Sequence, residues 1–223
     1  MLRAEAAWLA RRLDELPSED LSPLLSIGSG AAGLRATQPW LDELVYEPLA
    51  RRGVRVLHHE LEPAPGVDVT GDLTDPEFLA RLGELEIRSV MCCNVLEHVP
   101  DPGRVAAGIE GAIPPGGYAF VSVPSRFPYH PGPIDTLFRP GVEELRQLFP
   151  RLTQVAAEEI RCESLAAYLL RSRTKWVSLA RGVRSLVGRG GSSGEAPHVP
   201  LRDKARMVLL STAVSAVVLR ASP

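Results

Sequence analysis

The chain has 223 residues, 45% of them hydrophobic and 23% charged, and a net charge of −2. This is ordinary for a soluble globular protein with room for one well-cored domain. Its three cysteines, Cys92, Cys93 and Cys162, lack C-x-x-C or Cys/His spacing, which argues against a zinc site; their count does not suggest a disulfide framework, and a reducing, cytoplasmic setting fits best.

Charge is unevenly placed. Residues 1–160 carry 14 Lys/Arg against 24 Asp/Glu, whereas residues 161–223 carry 11 against 3. The basic tail suits an acidic partner, an anionic membrane surface, or the acidic body of the chain itself.

Residues 1–16 place Trp8, Leu9, Leu13 and Leu16 at helical spacing. Acids and arginines interrupt the run, so it reads as an amphipathic helix and not a signal peptide. An apolar strand over 24–27 then meets Gly28-Ser29-Gly30-Ala31-Ala32-Gly33, and a helix follows around 40–52, capped by Gly53. Residues 54–58 predict a second strand and 67–69 a short third, ending at Gly71-Asp72. Asp75-Pro76 opens a helix to about 82, with a capping acid before a proline at the first helical position. Residues 89–93 form a fourth strand, Asp101-Pro102 opens a helix to about 113, and a turn at 114–117 leads to a fifth strand at 118–123. Strands apolar on both faces, alternating with helices, point to a parallel sheet covered on both sides.

Beyond Pro124 lies a proline- and aromatic-rich loop over 125–140, a helix over 141–149 and a candidate strand over 153–159. Residues 164–186 predict a long helix with a basic face, 188–200 a flexible loop, 202–210 a helix, and 214–219 a last strand. The apolar run 207–219 is too short for a bilayer, which needs about 20 residues.

The glycine loop between strand and helix lets a ligand approach the backbone closely and gathers N–H groups near the helix start. A P-loop is excluded, since no G-K-[ST] follows. Glu60 stands at the end of the second strand, farther from the loop than a dinucleotide site asks, but suited to accept hydrogen bonds from two vicinal hydroxyls. The fourth strand runs into Asn94-Val95-Leu96-Glu97-His98, which places polar groups where ligands sit in open α/β sheets.

Together these segments resemble the class I S-adenosylmethionine-dependent methyltransferases over about residues 20–125. Leu25-Ser26-Ile27-Gly28-Ser29-Gly30 matches the family's cofactor-cradling motif, Glu60 its ribose-binding acid, and Asp72 the acid that contacts adenine. Residues 94–99 resemble its turn after strand four, and Pro115-Gly116-Gly117 the turn before strand five. The resemblance implies a Rossmann-like, doubly wound α/β fold, with a mostly parallel seven-stranded sheet and helices on both faces. It implies one domain over 1–223, with an N-terminal helix in 1–22, an acceptor-side loop at 125–140, and a basic helical insertion and flexible loop at 161–200. S-adenosyl-L-methionine would be held by Ser26, Gly28, Ser29, Gly30, Glu60, Asp72, Asn94 and Glu97. Ser26 stands where the family usually has an acid, and Glu97 is a candidate substitute. This departure also fits a second reading, a scaffold protein that keeps the fold and cofactor site without turnover. The acceptor would be a small molecule or a glycan- or lipid-linked intermediate, with His130, His98 and Asp135 as candidate catalytic residues; Asp135 can alternatively pair with Arg139 and brace the loop. His130 has the chemistry of a base near neutral pH. No metal and no nucleic acid is expected, and the basic 165–189 segment is the candidate for weak membrane-surface contact.

Overall fold

The computed structural model describes residues 1–28, 36–129, 134–164 and 211–223. Seven strands share one sheet: β1 (Leu24–Ile27), β2 (Val56–Glu60), β3 (Val69–Thr70), β4 (Ser89–Cys93), β5 (Tyr118–Arg126), β6 (Leu152–Ser164) and β7 (Ser211–Ala221). Their order is β3-β2-β1-β4-β5-β7-β6. β1 pairs in parallel with β2 and β4, and β4 with β5, whereas β7 runs antiparallel to both β5 and β6. This is the Rossmann-like, mostly parallel seven-stranded sheet expected from the sequence.

The helices are α1 (Arg3–Asp14), α2 (Ser18–Leu21), α3 (Glu47–Arg51), α4 (Pro76–Gly83), α5 (Pro102–Ala112) and α6 (Val142–Gln147). Asp75 and Asp101 cap α4 and α5 by accepting from Glu77 N and Arg104 N, both at 3.0 Å. Side chains alternate across each strand, so two cores form. Leu24, Met91 and Phe120 face α1 and α3, with Trp8, Leu9 and Leu49. Leu25, Val90, Cys92 and Val121 face α4, α5 and α6, with Phe78, Ile109 and Phe149. Cys92 and Cys93 thus lie on opposite faces.

A π-helical turn, Asp42–Tyr46, runs directly into α3, and Glu47 N–H donates to Asp42 O. Pro48 follows at once, with no N–H to donate and a ring that crowds the preceding turn, and the wider turn accommodates it.

The structure lengthens three strands beyond the expected bounds. β5 continues past Pro124 to Arg126 across a register shift, so the acceptor-side loop starts later than 125. β6 and β7 pair with each other from Leu152↔Ala221 to Ser164↔Ser211. β6 is a sheet edge with mostly polar, outward residues, and this pattern conceals its length in the sequence. The predicted helices over 165–186 and 202–210 and the loop over 188–200 lie outside the described residues.

Candidate functional site

A crevice of about 440 Å³ opens at the carboxyl ends of β1, β2 and β3. Gly28, Glu60, Asp72 and His98 line it. Gly28 has φ +68, and a Cβ there would stand 2.5 Å from Val95 Cγ2, so the turn needs glycine both for its backbone and for clearance. The Gly28 N–H donates to His59 O at 2.9 Å, so what Gly28 offers a ligand is room and not an amide.

Glu60 ends β2, and Gly71 N–H donates to its carbonyl at 3.2 Å, which brings Asp72 alongside on the neighbouring strand end. Gly71 lies flat on Phe78, where a Cβ would meet the ring at 2.2 Å. Asp72 Oδ1 accepts from Thr74 N (2.7 Å) and Thr74 Oγ1 (2.8 Å), and these bonds hold its carboxyl below the ordinary range. The two acids and the glycine turn therefore share one edge of the sheet. His59, not singled out in the sequence, also lines the crevice. Its Nε2–H donates to Gly71 O at 2.8 Å, burial lowers its pKa, and Nδ1 is buried with no partner among the described residues.

The turn after β4 clasps the loop after β5, the one expected on the acceptor side. Asn94 takes a left-handed φ of +55, which asparagine tolerates, and a 3-10 turn, Leu96–His98, follows. Glu97 O accepts from both Thr136 N and Thr136 Oγ1 at 3.0 Å, and His98 Nδ1–H donates to Ile134 O. Asp135 is turned inward: its carboxylate pairs with Arg139 Nη2 at 2.6 Å and accepts from Leu137 N at 2.9 Å. The Glu97 side chain is 1% exposed. Its Oε1 lies 3.7 Å from His98 Nε2, and its Oε2 has no hydrogen-bond partner among the described residues. Burial first, then the nearby Glu5, pushes the Glu97 carboxyl up to about 7.

Ser26 is fully buried, and its hydroxyl bonds the Tyr46 hydroxyl at 3.1 Å, delivered by the π-helical turn. Ser26, Asn94, Glu97 and Asp135 do not line the crevice among the described residues. Asn94 instead meets Glu5 of α1, a residue with no prominence in the sequence. Ser29, Gly30 and His130 lie outside the described residues. No group of three or more His, Cys, Asp or Glu side chains able to hold a metal occurs among the described residues.

No protein-family model matches the chain. A ubiquinone biosynthesis O-methyltransferase from Pseudomonas aeruginosa (strain UCBPP-PA14) is 28% identical over 180 residues, spanning 72% of this chain and 75% of that protein. One from Hahella chejuensis is 32% identical over 138 residues, 56% of each chain. The chain is thus similar to curated O-methyltransferases over more than half its length. The fold recurs in the MccD protein (TM-score 0.56, 13% identity, 97% of this chain and 96% of that one). It recurs also in a Galdieria sulphuraria protein named for sarcosine and dimethylglycine methylation (TM-score 0.52, 15% identity, 97% and 85% covered). At such identities the likeness speaks to fold alone. Among the described residues, no helix is long and apolar enough to cross a membrane.

Proposed function

We propose that this chain is a class I S-adenosylmethionine-dependent methyltransferase that moves a methyl group from S-adenosyl-L-methionine to a hydroxyl of a small acceptor, with the cofactor's adenosine in the crevice beside Gly28. The observation that carries this reading is the convergence of Gly28, Glu60 and Asp72 on one open crevice. The donor chemistry fits: a nucleoside presents hydroxyl and amino donors, and the crevice presents two carboxylates and a glycine turn with no side chain in the way. The relatives named O-methyltransferases support a hydroxyl as the acceptor.

The bound cofactor supplies a methyl group on a positively charged sulfur. The chain binds and orients. In this reading Glu60 accepts from the ribose hydroxyls and Asp72 from the adenine amino group, while Gly28, with Ser29 and Gly30, lets the backbone approach. Glu97 offers its lone carboxylate oxygen to the cofactor's ammonium in place of the acid missing at Ser26, whose hydroxyl is engaged by Tyr46. His98 and Asp135 hold the acceptor-side loop, and His130 is the candidate base for the acceptor hydroxyl. The chain works as one domain over 1–223, and its basic stretch 165–189 suits an anionic or lipid-linked acceptor; cosedimentation with anionic vesicles tests that contact.

Isothermal titration with S-adenosylhomocysteine tests the site. Saturable binding is expected, weakened about tenfold or more in Glu60→Ala, the effect of losing hydrogen bonds to a charged group. Absence of saturable binding to the unaltered chain removes the proposal. With a phenolic acceptor, His130→Ala is expected to lose turnover by about 10²-fold or more while cofactor affinity holds.

A further inference from the structure

Beyond the crevice, on the far side of the turn after β4, lies a buried acid. Glu5, in the first turn of α1, is 1% exposed yet sits against the ends of β4 and β5. Its carboxylate accepts from Asn94 Nδ2 at 2.9 and 3.1 Å, from Ser122 Oγ at 2.6 Å and from Leu2 N at 3.1 Å. All four contacts come from donors, and a carboxylate has nothing to donate. The Asn94 amide is therefore fixed in one sense, with its nitrogen toward Glu5 and its carbonyl oxygen directed away.

Asn94 does not itself line the crevice, but its neighbour Val95 does. Val95, next to Asn94, is the side chain against which Gly28 packs. From Glu60 on β2, past Gly28 on β1, to Asn94 after β4 is two strand spacings, about 10 Å. That is on the order of the reach from a ribose to the ammonium of a methionyl chain. Glu97, three residues on from Asn94 in the same turn, has a buried Oε2 with no donor among the described residues. An oriented carbonyl oxygen and a lone carboxylate oxygen are together suited to an ammonium and hostile to an apolar group.

Resting on the crevice reading above, we infer that Glu5 is a positioning residue for the methionyl end of the cofactor: it locks the Asn94 amide so that an acceptor, and not a donor, faces the ammonium. Glu5→Gln presents an amide hydrogen to Asn94 and lets the Asn94 amide turn over, putting N–H toward the cation.

The test compares two ligands by titration calorimetry on the full chain. S-adenosylhomocysteine carries the ammonium; methylthioadenosine lacks the amino-acid portion. Glu5→Gln is expected to weaken S-adenosylhomocysteine about tenfold or more and methylthioadenosine less than about twofold. Adding Asn94→Asp to Glu5→Gln restores an acceptor on both sides of that residue and should recover most of the lost affinity. Should Glu5→Gln fail to fold, Asn94→Ala carries the same comparison, with the loss again confined to S-adenosylhomocysteine. Equal weakening of both ligands, or of neither, overturns the inference. A chain that binds neither ligand before any substitution sinks the crevice reading instead.

Discussion

Glu97 combines deep burial with a carboxyl held at about 7 against an ordinary 4.5. The folded chain keeps this proton to a higher pH than the unfolded chain does, so folding is favoured below about 4.5 and loses stability as pH rises to about 7. The whole excursion is on the order of 3 kcal/mol. Glu97→Gln is expected to flatten that slope, with stability matching the unaltered protein near pH 4.5 and exceeding it above pH 7, as read by urea denaturation across pH. Arg139, Glu5, His98 and the Met1 amino group surround Glu97 and set the background against which the slope is measured. At Gly28, an added methyl group meets both a left-handed backbone and Val95. Gly28→Ala should cost about 1–3 kcal/mol, and Val95→Ala in the same chain should return the steric part while leaving the backbone part. The sequence identifies Gly28, Glu60 and Asp72 because motif and strand end coincide there. It conceals Glu5 because an acid in a first helical turn reads locally as a cap, and Glu5 does accept from Leu2 N. Its other partners lie 89 and 117 residues away, beyond any local pattern.

At the scale of elements, two irregular turns decide where chemistry-bearing groups go. The π-helical turn brings Tyr46 onto Ser26, so the place of the missing acid is taken by a neutral hydroxyl pair inside the core. The 3-10 turn at Leu96–His98 joins the crevice to the acceptor-side loop through Thr136 and Ile134. Thr136→Val removes the hydroxyl donor but keeps the backbone one, so the loop is loosened and not released. The expected result is an acceptor KM raised about fivefold, from a lost hydrogen bond of about 1 kcal/mol, with S-adenosylhomocysteine affinity unchanged. Five strands and the capped helices are legible because their signals are local: apolar runs, Asp-Pro starts and glycine stops. The lengths of β6 and β7 are not, because pairing sets them. β6 is extended by β7 over a largely polar stretch with no apolar alternation to announce it.

For the whole molecule, β5 belongs to both cores, with Phe120 on one face and Val121 on the other. Phe120→Ala is expected to cost about 3–5 kcal/mol by urea denaturation, and amides of β5 and β7 should be the slowest to exchange with solvent, those of two-residue β3 the fastest. Ser164 and Ser211 face each other across the β6–β7 ladder, so the chain leaves the sheet and re-enters it at a single doorway. β6 and β5 run the same way, which puts that doorway on the rim that also carries the crevice. A short hairpin joining Ser164 to Ser211 would therefore close the ladder without rethreading the scaffold.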